Sequence, residues 1–120
     1  MIAALPAVPA IHSVVEVDRH LLEWDRQVIL VRGWINICGP GRAVGPAITQ
    51  TKRCRGRRYL PISISPAVFP GGASKLVGRQ VVLRARVDAT CRRQLCFDRY
   101  SLLHVERVKF LSSSSDSRSY

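Results

Sequence analysis

The sequence predicts an all-β domain, a small closed barrel of five strands. Three observations carry that reading. The segment Arg26-Gln27-Val28-Ile29-Leu30 returns nearly unchanged as Arg79-Gln80-Val81-Val82-Leu83. Each copy runs on into alternating residues, Val31-Arg32-Gly33-Trp34-Ile35 and Arg84-Ala85-Arg86-Val87, which is the period of a half-buried strand. Turn-rich sequence separates the two copies, and one more strand-like stretch follows. The copies differ in what flanks them. They read as two strands meeting the same demand, not as a duplication.

Residues 1–12 are expected as a flexible leader. Apolar residues at 14, 17, 21 and 22 with charges between them predict a short amphipathic helix over 14–24, and Ser13 with Glu16 forms a capping box at its start. The first strand covers 27–37, with Ile29, Val31, Gly33, Ile35 and Ile37 on one face and Leu30, Arg32, Trp34 and Asn36 on the other; Gly33 marks a bend where the strand rounds the barrel. Gly39-Pro40-Gly41 and Gly45-Pro46 are turns. A short second strand is expected over 47–52, anchored by Ile48. The basic loop 53–58 leads into a third strand over 59–65, with Leu60, Ile62 and Ile64 on one face. Pro61 within it predicts an edge position or an irregular start. A connector centred on Pro70-Gly71-Gly72 holds short helical turns. The fourth strand, 79–90, points Val81, Leu83, Ala85 and Val87 inward and Arg84 and Arg86 outward. A tight loop, 91–96, precedes the fifth strand over 100–110. The Ser-rich stretch 111–120 is expected as a disordered tail. The domain proper is therefore 13–110.

Five strands, the first and fourth long, with a short helical connector between the third and fourth, is the order of the OB-fold, a five-stranded Greek-key barrel. The run from Trp24 to Trp34 resembles the first strand of OB-fold proteins, and Leu76-Val77-Gly78-Arg79-Gln80-Val81-Val82-Leu83 is similar to their fourth. The resemblance covers residues 14–110 and implies a fold, not a ligand. Cys91 to Cys96 followed by Phe97-Asp98-Arg99 also resembles a late segment of small bacterial envelope proteins with an OB-like barrel. Tyr100 stands where such proteins often place a third cysteine. That resemblance implies export and a disulfide, but no activity.

At 120 residues with 47% hydrophobic content, the chain has one globular domain with a modest core. Its net charge of +11 attracts polyanions such as nucleic acid, anionic headgroups or acidic polysaccharide. Sixteen of the 19 basic residues are arginine. Cys38, Cys54, Cys91 and Cys96 form no C-x-x-C pair, and His12, His20 and His104 are scattered, so neither a metal site nor a cofactor is expected. Four cysteines are compatible with two disulfides in an oxidising compartment, the alternative being four reduced thiols in the cytosol; three pairings are open. No stretch approaches the ~18–20 apolar residues of a membrane span. Residues 1–10 are apolar and resemble the tail end of a signal peptide, with Val8-Pro9-Ala10 as a small-residue cleavage site. These features favour a periplasmic or secreted location slightly over the cytoplasm.

The expected function is binding without catalysis. An anionic partner, either single-stranded nucleic acid or an envelope component, would meet the arginine-rich loops. Arg32, Arg42, Lys52, Arg53, Arg55, Arg57, Arg58, Arg92 and Arg93 supply cations, and Trp34 and Tyr59 supply stacking faces. One alternative is a cytoplasmic single-strand-binding protein. Another is a disulfide-stapled envelope protein of structural or protein-interaction role, in which Cys91–Cys96 clamps one loop and Cys38–Cys54 ties another. The chain is expected as a monomer or small oligomer. No nucleophile elbow, phosphate loop or HExxH motif occurs. Asp98 or Asp88 with His104 are the acid/base candidates. Six residues of extended chain, about 20 Å, keep Asp98 from His104 along one strand. Ser63 and Ser65 have no partner nearby in sequence. Asp25 and Asp98 are placed for surface pairs with arginines, and His20 on the solvated face of the helix.

Overall fold

In the computed structural model, residues 9–39, 44–55, 58–94, 96 and 100–111 are described. Strand β1 is Ile11–Ser13, followed at once by helix α1, Val14–Arg19. The long strand β2, Val28–Cys38, leads to β3, Gly45–Thr49, and β4, Tyr59–Ser63. A 3-10 turn at Gly72–Lys75 precedes β5, Gln80–Val87. Helix α2, Thr90–Arg93, then leads to β6, Leu103–Phe110. Among the described residues the architecture is all-β with two short helices, and the all-β class is the one the alternation predicts.

The six strands form one sheet in the order β1-β2-β3-β4-β6-β5, and β5 pairs back onto β2. The sheet therefore closes into an uneven ring. β2 is long enough to serve three neighbours. Its residues 28–34 pair antiparallel with β5, residues 30–32 pair parallel with β1, and residues 34–38 pair antiparallel with β3. The two look-alike segments thus lie side by side, antiparallel and offset, with Val28 opposite Arg86 and Val31 opposite Leu83. Ile11 and His12, at the end of the stretch read as a leader, pair with Leu30 and Val31.

Inside the ring, Ile35, Ile48 and Leu60 form one buried row across β2, β3 and β4. Val31, Val81, Leu83, Ala85, Leu103 and Val105 fill the rest. α1 closes over the core with Val14 and Val17, joined by Leu21 in the turn after it, each at most 2% exposed. Its N-cap is Ser13, whose hydroxyl accepts the Glu16 N–H at 3.1 Å. The helix is shorter than its periodicity suggests and ends at His20, and the chain turns through Arg26 at φ +69° to enter β2.

Two details depart from the expected pattern. Ile37 is exposed and Cys38 buried, so the alternation of β2 slips at its end, where Cys38 bonds to Cys54. Pro61 sits in a strand with neighbours on both sides. Its carbonyl accepts from Leu102 N, so its missing N–H faces the same side, before β6 begins to pair at Leu103. β4 is thus neither the edge strand nor the irregularly started strand that the proline suggests; its pairing with β3 is in register from Tyr59. No described helix is long and apolar enough to cross a membrane.

Candidate functional site

On the outside of the ring, Trp34, Thr49 and Tyr59 are register partners across β2, β3 and β4. Partners in antiparallel ladders share a face, so the two predicted aromatics flank Thr49, about 10 Å apart at two strand spacings. Both rings are half-buried, whereas Thr49 is covered. What covers it is the turn after β3. The Thr49 hydroxyl donates to the Thr51 carbonyl at 2.6 Å and accepts from the Asn36 amide at 2.7 Å. The same amide donates to the Lys52 carbonyl at 3.1 Å. This pins the turn against the sheet and sets the Lys52 ammonium 5.8 Å from the Trp34 ring centroid, a cation–π contact. Neither Asn36 nor Thr49 stands out in the sequence. Only the register brings them together.

The predicted cations fall into two groups. Arg53, Arg55 and Arg58 are exposed on the β3–β4 connection, with no ion pair to any described carboxylate. Arg32 is exposed on the Trp34 face of β2 and borders a small cleft with His12, Gln50 and Gln80. The Cys38–Cys54 disulfide, with Cα atoms 5.9 Å apart, fastens this connection to the end of β2. Arg42, Arg57 and Asp98 lie outside the described residues.

Arg92 and Arg93 are engaged within the molecule. Arg92 pairs with Asp18 at 2.5 Å. Arg93 lies 3.4 Å from Asp25 and donates to the Leu22 carbonyl at 3.2 Å. The remaining oxygen of Asp25 accepts from Ala89 N at 2.9 Å, so the acid read as a surface partner also holds the start of α2. α2 is thereby tied to α1, and Cys91–Cys96, with Cα atoms 5.5 Å apart, closes the chain after it. Beside it lies a shallow depression of about 540 Å³, bordered by Pro61, Arg92, Arg93, Tyr100 and Leu102 among others. His20 is half-buried and stacks on Trp24 with centroids 4.8 Å apart.

A third cluster joins the ends of three strands. His104 on β6 is the register partner of Ser63 on β4, and its Nδ1 is 2.9 Å from the Ser63 hydroxyl. Its Nε2 is 3.1 Å from Asp88, just after β5. Sequence distance alone hides Ser63 from this pair, because β4 and β6 meet only through the ring. The Thr90 hydroxyl donates to Asp88 at 2.7 Å and the Thr90 N–H at 3.0 Å. These bonds, together with His104, lower the Asp88 pKa from 3.8 to about 2. A carboxyl depressed in the folded state stabilises it above the unfolded value, and that contribution disappears as pH falls through the folded value. Asp88→Asn is therefore expected to be less stable than the wild type at neutral pH, with the gap closing between pH 4 and about 2. The side chain is 40% exposed, so the gap is held by solvent screening to about 1 kcal/mol or less. Urea denaturation of both proteins across that pH range measures it. A gap that stays constant down to about pH 2 would contradict the assignment.

Among the described residues, no group of three or more His, Cys, Asp or Glu is arranged to hold a metal ion. Comparison with protein families, with curated proteins and with solved structures gives no match, so the reading of this site rests on its own geometry.

Proposed function

We propose that the chain is an OB-like barrel, with β1 added to it, that binds an anionic partner through its arginine-rich loops. The cycle β2-β3-β4-β6-β5 with a parallel β4–β6 pairing supports the OB-like reading. The binding surface of such barrels is the face of the second and third strands and the adjoining loops. Those strands correspond to β3 and β4. One observation carries the proposal: Arg53, Arg55 and Arg58 project from a disulfide-fastened connection without described acidic partners, beside the Trp34–Tyr59 row. Elsewhere the charges are partly met, as where Arg84 and Arg86 share Glu106. Cations already satisfied internally gain less from a ligand than cations facing only water. Phosphate, sulfate or carboxylate groups would pair with the guanidinium forks, and an aromatic or apolar part would lie on the exposed edges of Trp34 and Tyr59.

The two disulfides favour a partner met outside the cytosol, because such bonds persist in oxidising compartments. This makes an envelope component the first candidate and single-stranded nucleic acid the second. Fluorescence anisotropy of a labelled sulfated polysaccharide and a labelled single-stranded oligonucleotide, each across a salt series, tests the reading. Binding should weaken steeply with salt, by about 0.7 in log–log slope per phosphate contact for the oligonucleotide. Combined Arg53→Glu, Arg55→Glu and Arg58→Glu substitution should abolish it and flatten the slope. Binding that is absent at low salt, or unchanged in the triple variant, removes the proposal.

A further inference from the structure

We propose that Ser63, His104 and Asp88 form a nucleophile–base relay that hydrolyses carboxylic esters with good leaving groups. The inference stands apart from anion binding and departs from the expectation of a chain that only binds.

The hydrogen-bond directions follow from the chemistry of the groups. An ionised carboxylate can only accept, so the imidazole proton between Asp88 and His104 resides on Nε2, at 3.1 Å. In the neutral form of the ring, Nδ1 then carries the lone pair, and the Ser63 hydroxyl, at 2.9 Å, can donate to it. That is the polarity a general base needs to activate a serine. The two ring nitrogens exchange the roles they have in the serine-protease template, which is recognised by geometry and roles. Neighbouring elements bring the parts together. Ser63 and His104 are partners on neighbouring strands, and Asp88 is fixed by two bonds from Thr90. The site is accessible, with the His104 and Asp88 side chains 48% and 40% exposed.

Pro61, two residues before Ser63 on the same outward face, and Leu102, two before His104, border the depression beside α2. The rest of a bound ester would lie there. Esters of acidic alcohols are the substrate class, because a phenolate departs without needing a proton delivered to it.

The step balances. Ser63 Oγ bonds to the ester carbonyl carbon as its proton passes to His104 Nδ1. The tetrahedral adduct expels the alkoxide or phenolate, which takes that proton, and leaves an acyl-serine. Water attacks the acyl carbon and gives a proton to Nδ1, the acid is released, and the proton returns to Ser63 Oγ. The sum is ester plus water giving acid plus alcohol. His104 touches the reacting hydroxyl and is catalytic; Asp88 acts through it and is a positioning residue.

The test uses the full disulfide-bonded chain with p-nitrophenyl acetate and, separately, a fluorophosphonate whose site of attachment is located by peptide mass. The expected results are phosphonylation of Ser63 and hydrolysis above the buffer rate that Ser63→Ala abolishes. His104→Ala should lower the rate about 100-fold or more, with recovery on adding imidazole. Asp88→Asn should lower it at least about tenfold and move the His104 proton off Nε2, visible in imidazole ¹⁵N spectra and not explained by a purely structural role. Absence of label on Ser63 overturns the proposal, as does hydrolysis by Ser63→Ala at the wild-type rate. The labelling arm uses the wild-type chain and does not depend on any variant folding.

Discussion

Gly33→Ala is expected to destabilise the fold by about 2–3 kcal/mol, the cost of forcing one carbon into a packed interior. A Cβ at this position would lie 2.6 Å from the Thr49 carbonyl oxygen, 2.7 Å from Ile48 Cγ1 and 3.0 Å from Val14 Cγ2. The first of these atoms is backbone and cannot move without shifting β3. Gly33 also marks the seam on β2 between the pairing with β1, which stops at Arg32, and the pairing with β3, which starts at Trp34. α1 leaves the sheet there and lowers Val14 onto the glycine. Gly78 is the informative control. Its φ is +86° and nothing lies within 4 Å of its missing Cβ, so Gly78→Ala adds backbone strain alone, about 1 kcal/mol. Urea denaturation of both variants measures the difference. A Gly33→Ala midpoint equal to that of the wild type would contradict the packing described for this seam.

Loss of the Cys38–Cys54 disulfide is expected to cost about 3 kcal/mol, from the entropy of opening a loop of some 15 residues in the unfolded chain. The bridged residues are 16 apart and enclose the whole of β3. Cys91 and Cys96 are only 5 apart, so their bond contributes less, about 2 kcal/mol. Paired Cys→Ser variants compared by urea denaturation without reductant separate the two. The Cys38–Cys54 variant should also bind polyanion more weakly, since it releases the connection that carries Arg53 and Arg55. Equal stability of wild type and that variant would argue against the bond, as would four reactive thiols in protein denatured without reductant.

The sequence makes legible what depends on local alternation. Val31, Gly33 and Ile35 on β2, and Val81, Leu83, Ala85 and Val87 on β5, face the core as their spacing requires. Pairings without a local signature stay hidden. Ile11-His12-Ser13 has no alternation to reveal a strand, and it becomes one only because β2 offers it an edge. The slip that buries Cys38 and exposes Ile37 comes from a bond to a residue in another loop. At the candidate sites, the basic composition of the β3–β4 connection is plain in the sequence. What cannot be read there is which cations are already engaged. Arg92 and Arg53 look alike until Asp18 is found against one of them. Asp88 and His104 can be paired by eye as acid and base. Ser63 joins them only through a parallel pairing of two strands that are far apart in the chain.

That parallel pairing is also the narrowest part of the ring. β4 and β6 share two registered pairs, whereas β2 with β5 and β5 with β6 share seven each. Local openings of a native protein begin where the fewest bonds must break, and their free energy is far below that of global unfolding. The ring would therefore breathe at this seam first. Each opening would part Ser63 from His104 and expose Leu103 and Ile62 to solvent, so amide exchange at these residues would follow the same fluctuation that switches the serine in and out of reach of its base.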